Sequence, residues 1–227
     1  LEDYFHCNLE NVENMKKIST IEKNVDTLLK IFHKYNIKAT FFVLGSVAEE
    51  YPEVVKKVAK AGHEIASHGY AHKLAYFQTK EEFRQDIVKA KKIIEDIIKT
   101  PVIGYRAPSW SITEKNKWAL EILQEEGFKY SSSIFPTKNF LYGISDAPRT
   151  INVPYVGSKK MNIYEIPPST FKIAGKTIGF SGGSYFRLFP TFFIKYLIKR
   201  NNRKGNPVIC YLHPWELDPN SPKMKLS

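Results

Sequence analysis

The chain has 227 residues, enough for one large domain or two small ones, and 43% of them are hydrophobic, enough to fill a sizeable core. With 34 Lys and Arg against 23 Asp and Glu the formal charge is +11, which favours anionic partners in general. The cations are nevertheless spread along predicted helices, often beside Glu, and no compact basic motif carries interleaved aromatics, so nucleic acid is not an expected partner. Two cysteines make no disulfide framework, and no apolar run approaches the roughly 18 residues of a membrane span.

Apolar runs and amphipathic helices alternate along the chain. Ser19 with Glu22 resembles a capping box, followed by Ile21, Val25, Leu28, Leu29 and Phe32 at helical spacing. Ala39 to Leu44 is the pattern of a buried strand closed by Gly45, and a second helix is expected from Pro52 to Gly62. Glu64 to Ala66 forms a short strand. Thr79 with Glu82 caps a third helix carrying Phe83, Ile87, Ala90, Ile94 and Ile97, which Pro101 ends before a strand over Val102 to Tyr105. Thr113 starts a fourth helix that stops at Gly127, and Phe128 to Tyr130 is strand-like. Residues 136–160 break the rhythm and are expected to cover one face as a long excursion. Ile163 to Ile166 and Thr177 to Phe180 are expected strands, Pro190 to Asn201 a helix, and Pro207 to Leu212 a last strand with Cys210 in the core. No repeat, low-complexity segment or linker divides the chain. The alternation implies one α/β domain with a barrel-like arrangement, whose chemistry belongs at the C-terminal ends of the strands.

The unusual residues do follow strands. Near the start stands Glu2-Asp3-Tyr4-Phe5-His6. After Glu64 to Ala66 comes Ser67-His68-Gly69-Tyr70-Ala71-His72, in which two imidazoles four residues apart could share one metal ion. After Tyr105 comes Arg106-Ala107-Pro108-Ser109-Trp110, after Tyr130 a run of three serines, and after the last strand His213-Pro214-Trp215-Glu216. Each of these is common as plain structure; a His-x-x-x-His spacing is usually accidental. Five in order, all at strand ends, are a pattern.

That set resembles the polysaccharide deacetylase family, the NodB-homology group also known as carbohydrate esterase family 4. Glu2 to His6 is similar to its first motif, Ser67 to His72 to the second, Arg106-Ala107-Pro108 to the third, Ser132 to Pro136 to the fourth and Leu212 to Glu216 to the fifth. The run Gly182 to Pro190 resembles a segment of the branch linked to bacterial exopolysaccharide biosynthesis. The resemblance implies a distorted (β/α) barrel of about seven strands, a single domain over 1–227 whose first strand is truncated. It implies a hydrolase that removes N-acetyl groups from an amino-sugar polysaccharide or its precursor, with an N-acetylated glycan as partner.

By position, His68 and His72 would hold a divalent metal with a carboxylate, Asp3 first and Glu2 as the fallback; zinc suits the ligand types, with cobalt, nickel or manganese as alternatives. His213 would protonate the leaving amine, Arg106 would orient the base, and a backbone N–H beyond the fourth strand would help to hold the oxyanion. The family's base, an Asp, is expected just upstream of Leu1; within the chain Glu2 is the candidate for that catalytic place. Trp110, Tyr185 and Trp215 are candidates for stacking on sugar faces, with Pro108, Tyr130 and Arg187 as further substrate-binding residues. The branch carries an Asp that tunes the catalytic His where this chain has Ser131. An O-acetyl esterase of the same family and a catalytically silent glycan-binding domain are the alternatives.

Overall fold

Spacing of apolar side chains accounts for most of the helices in the computed structural model, which describes residues 1–2, 19–137 and 142–219. Helix α4, Lys80–Ile98, buries Phe83, Ile87, Ala90 and Ile94 on one stripe. It opens with the expected capping box: Glu82 N–H donates to the Thr79 hydroxyl, and Thr79 N–H donates to the Glu82 carboxylate. Helix α1, Ile21–Lys34, buries Ile21, Val25 and Leu28 but forms no such box. It starts one residue later than expected, with Thr20 as N-cap, so Glu22 stands one place short of the position that could reach back.

Five strands form one parallel sheet: β1 Thr40–Val43, β2 Glu64–Ser67, β3 Gly104–Tyr105, β4 Tyr130–Ser131 and β7 Tyr164–Glu165, in that order across the sheet. Each lies beside the strand before it, the winding of a barrel rather than of a doubly wound sheet. The α/β class and the parallel ladder are as the sequence implies. Between the strands run α2 (Gly45–Glu50), α3 (Pro52–Lys60), α4 and α5 (Trp118–Glu125). A 3₁₀ turn over Glu114–Asn116, capped by Thr113, precedes α5, so that helix starts later than its cap suggests.

Register decides where the chemistry can be. Val43, Ser67, Tyr105, Ser131 and Glu165 lie side by side across the sheet. The next residues continue the row: His68 N–H donates to Val43 O, Arg106 N–H to Ser67 O, Ser132 N–H to Tyr105 O and Ile166 N–H to Ser131 O. All these residues therefore leave the sheet at one edge.

The excursion holds a small hairpin of β5 (Tyr155–Val156) and β6 (Lys159–Lys160), and Ile144 from it and Met161 just after it join the main core. Of the two strands expected near the C-terminus, the first forms, outside the parallel sheet, and the second does not. Residues 177–179 pair in an antiparallel hairpin, β8 (Thr170–Ile173) with β9 (Lys176–Gly179), closed by Ala174 and Gly175 in left-handed conformations. Residues 207–212 make no ladder strand among the described residues; Tyr211 alone forms a parallel bridge, to Gly182, and Ile209 N–H goes to the Ser169 hydroxyl. With one bridge instead of a ladder, Cys210 is exposed rather than in the core. Helix α6 (Ser184–Leu188) and helix α7 (Thr191–Asn202) complete this half, where Phe171, Phe180 and Leu197 make a second, smaller core.

Candidate metal centre

The row at the sheet edge brings His68 to the end of β1, and Leu1 lies against the same place: its backbone nitrogen donates to Phe42 O. Glu2 is thereby set among imidazoles. Its Oε2 lies 3.7 Å from His68 Nε2 and 3.4 Å from His72 Nε2, and its Oε1 lies 3.6 Å from His213 Nε2. One ligand atom from each of Glu2, His68 and His72 lies within 4.8 Å of the other two, and all three residues are buried.

These residues fit a divalent ion. Glu2 Oε2 is buried without a hydrogen-bond partner among the described residues, and a buried carboxylate oxygen left so is costly unless a cation faces it. Two imidazoles and a carboxylate are the donor set of an open zinc-type site. His68 Nδ1 lies 2.6 Å from Arg106 O, which fixes the tautomer and leaves Nε2 with its lone pair toward Glu2. Burial pushes the His68 imidazole down to about 3, despite the raising effect of Glu2, so it is neutral at physiological pH. Burial alone would raise the Glu2 carboxyl, but His68, His72 and His213 outweigh it and hold the group below the ordinary carboxylate range. Asp3, the first-choice ligand by sequence, lies outside the described residues; the carboxylate in the cluster is the fallback, Glu2.

The loop that carries the histidines is pinned from both sides. Gly45 and Ser46 at the start of α2 donate N–H groups to Gly69 O and Tyr70 O, which is why a helix begins at the glycine that seemed only to close a strand. From α4, the Asp86 carboxylate accepts the N–H groups of Tyr70 (2.8 Å) and Ala71 (3.3 Å). Gly69 has φ +76°, and a Cβ there would meet Asp86 Oδ2 at 2.6 Å, so the pinning requires glycine. His72 itself has φ +54°, a conformation uncommon for a residue with a Cβ. Asp86 was invisible in the sequence, where it is one more polar position on an amphipathic helix.

His213 reaches the site from the segment after the Tyr211 bridge. Gly182 permits that approach, since a Cβ there would meet Tyr211 O at 2.1 Å. Glu216 accepts the His213 backbone N–H at 2.8 Å and lies 3.3 Å from His213 Nδ1, and Arg187 lies 3.4 Å from the other Glu216 oxygen. Trp215 stacks on the His213 ring, with centroids 5.1 Å apart and planes 22° from parallel. Glu216 was missed as a functional residue, although its i, i+3 spacing from His213 was the available signal.

The remaining predicted residues divide. Arg106 donates to the carbonyl and hydroxyl of Ser132 (3.3 and 2.9 Å) and lies over the Phe42 ring, next to the cluster. Trp110 is buried against Phe135, Tyr142 and Tyr211, and Ser109 and Trp110 both have positive φ, a strained turn after β3 that starts at the buried Pro108. Tyr130 is not brought to the cluster: its hydroxyl bonds Glu64 at the far end of β2. Tyr185 stacks on Phe189. The N–H groups expected as oxyanion donors are engaged, Ser132 with Tyr105 O, and Ser133 and Ile134 with the Glu165 carboxylate at 2.7 and 2.8 Å. Ser131 carries no charge, but Glu165 is its register partner, so a buried carboxylate does stand at this position on the neighbouring strand.

A family model described as polysaccharide deacetylase matches residues 14–131, more than half of the chain, and one described as a domain of unknown function (DUF3473) matches residues 132–227. The peptidoglycan deacetylase of Helicobacter pylori is 34% identical over 113 residues, 50% of this chain and 38% of that protein. A peptidoglycan-N-acetylglucosamine deacetylase of Bacillus cereus is 36% identical over 95 residues, 41% of this chain and 34% of that protein. The chain thus spans well under half the length of these curated relatives. The crystal structure of a Mycobacterium smegmatis protein assigned to the polysaccharide deacetylases superposes with a TM-score of 0.60 at 23% identity, over 84% of this chain and 63% of that one, and so shares the fold.

Burial raises the Glu165 carboxyl from 4.5 to about 7, against the lowering pull of the Ile134 and Ser133 N–H groups and of Arg106. The folded state therefore holds this proton more tightly than the unfolded chain. The stability this confers is complete below pH 4.5 and is lost as pH rises to about 7, by at most about 3 kcal/mol. Glu165→Gln has no proton to lose, so urea unfolding across that window should show a flatter pH dependence than the native protein. An unchanged slope would contradict this assignment.

Proposed function

We propose that this chain, which belongs to the polysaccharide deacetylase family, is a metal-dependent hydrolase that removes N-acetyl groups from an amino-sugar polysaccharide or its precursor. The observation that carries the reading is the buried Glu2–His68–His72 cluster, in which one carboxylate oxygen has no hydrogen-bond partner among the described residues. The similarity to a peptidoglycan deacetylase and to a peptidoglycan-N-acetylglucosamine deacetylase supports the substrate class. The Gly182 to Pro190 segment supports a role in exopolysaccharide or envelope-glycan assembly.

Glu2, His68 and His72 would hold the ion, zinc first by donor type. When bound, such an ion supplies Lewis acidity toward a water and an acyl oxygen. The chain's own residues do the rest. The Arg106 carbonyl keeps His68 Nε2 facing the cluster. Glu216, braced by Arg187, takes the His213 Nδ1–H side and leaves Nε2 toward Glu2. From there His213 delivers a proton to the leaving nitrogen, without which an amine anion would have to depart. Glu2 serves the ion, so the base falls to the aspartate that the family resemblance expects ahead of Leu1. Trp215, stacked on His213, lies where it could also border the sugar.

The direct test is acetate release by the natural full-length protein from N-acetylglucosamine oligomers and from an O-acetylated glycan, with and without a chelator. Chelator-sensitive release from the N-acetyl substrate is expected; release from the O-acetyl substrate alone would reassign the protein as an esterase. His68→Ala should lose bound metal and activity together, whereas His213→Ala should keep its metal and lose about 10²- to 10⁴-fold in kcat. A metal-free, fully active His68→Ala protein would overturn the proposal.

Glu216 acts on substrate only through His213, so Glu216→Gln should lower kcat by roughly tenfold with KM and metal content unchanged. A raised KM at unchanged kcat would instead mean that Glu216 binds the glycan.

A further inference from the structure

The cations are not spread evenly. Residues 166–215 contain Lys172, Lys176, Arg187, Lys195, Lys199, Arg200, Arg203 and Lys204 and not one Asp or Glu, so this segment carries eight positive charges of a net +11. Five of them lie on α7 or the turn just after it, and among the described residues none of Lys195, Lys199, Arg200, Arg203 and Lys204 has a carboxylate partner; Arg187 alone of the eight is paired, with Glu216. Arg149 shows that this field is not neutralised locally: burial and the nearby Arg200 both push its guanidinium below the ordinary value.

Helix α7 combines that charge with exposed apolar groups. Ile194 and Leu197 are its buried residues, packed toward Phe171 and Phe180. On the opposite side Phe192, Tyr196, Lys199 and Arg203 follow one another at steps of four, three and four residues, one stripe of a helix. Phe192 is 76% exposed and Tyr196 55%, and Leu188 at the end of α6 is 71% exposed. Neither Phe192 nor Tyr196 makes a ring contact among the described residues, and Lys195, Lys199, Arg200 and Arg203 flank them.

We propose that the outer face of α7, with Leu188 before it, is a docking surface for an anionic lipid bilayer: Phe192 and Tyr196 enter the headgroup layer while the surrounding cations meet lipid phosphates. Protruding rings encircled by Lys and Arg are the pattern of a helix that lies in a membrane interface. A soluble polyanion would use the charges but gain little from a projecting leucine and phenylalanine. A second copy of the same face would bring like charges together. The proposal is independent of the deacetylase reading.

Co-sedimentation with vesicles of phosphatidylcholine, and of phosphatidylcholine mixed with phosphatidylglycerol, tests it. The protein should bind the mixed vesicles alone, and less as salt rises. F192A/Y196A should weaken binding by about tenfold or more, and K195E/K199E by at least as much, both with unchanged thermal unfolding. Tryptophan emission gained in F192W should shift to the blue only with the mixed vesicles. No binding to the mixed vesicles would overturn the proposal. So would undiminished binding by F192A/Y196A together with full competition by dextran sulfate, which would mark a polyanion site. A native dimer dissolved by F192A/Y196A would also overturn it, because a second copy would then cover the face.

Discussion

A carboxylate buried among three imidazoles is the constraint on which the rest of this structure turns. Glu2 is buried and one of its oxygens has no hydrogen-bond partner among the described residues, so its charge depends on the groups that surround it, His68, His72 and His213. The imidazoles arrive from two distant parts of the chain. The parallel register carries His68 past the end of β2, the loop pinned by α2 and Asp86 turns His72 back, and the bridge of Tyr211 to Gly182 delivers His213. An ion that fills the space between these groups would complete the balance of charge, and the second layer already suits it: the Arg106 carbonyl on His68 and the Glu216 carboxylate on His213.

Much of this was legible in the residues because it rests on local rules. The Thr79–Glu82 box, the Phe83–Ile94 stripe and the apolar runs at Thr40 and Ile65 are decided within a few residues of chain. The His pair and His213 were legible as motifs at strand ends. What was not legible depends on partners far away in sequence. Asp86 matters because α4 packs beneath the His loop, and Glu165 because β7 is the neighbour of β4. The Ser19–Glu22 box failed because the helix starts at Ile21, a shift of one residue that spacing alone does not resolve. The last strand failed for a different reason. Its apolar run fits a ladder, but only Tyr211 finds a backbone partner among the described residues, so Cys210 faces outward.

The two halves of the chain differ in physical character. Up to Glu165 the surface mixes both signs of charge, and pairs such as Lys57 with Asp26 and Lys91 with Glu95 are frequent. Beyond it the surface is purely basic until Glu216, and the core is smaller. Averaging over the whole chain hid this, since a net charge reports neither where cations lie nor what surrounds them. The same basic half supplies His213 and Glu216 to the centre, so a surface bound at α7 would stand on the element that also delivers the proposed acid.

The central claim is that Glu2, His68 and His72 together hold one ion. Its most direct test is the anomalous difference map of crystals of the protein grown with zinc. The account predicts a single strong peak at about 2.0 to 2.2 Å from a Glu2 oxygen and from one nitrogen of each histidine. A peak held by Asp3 with Glu2 turned away, or no peak at this cluster, would contradict it.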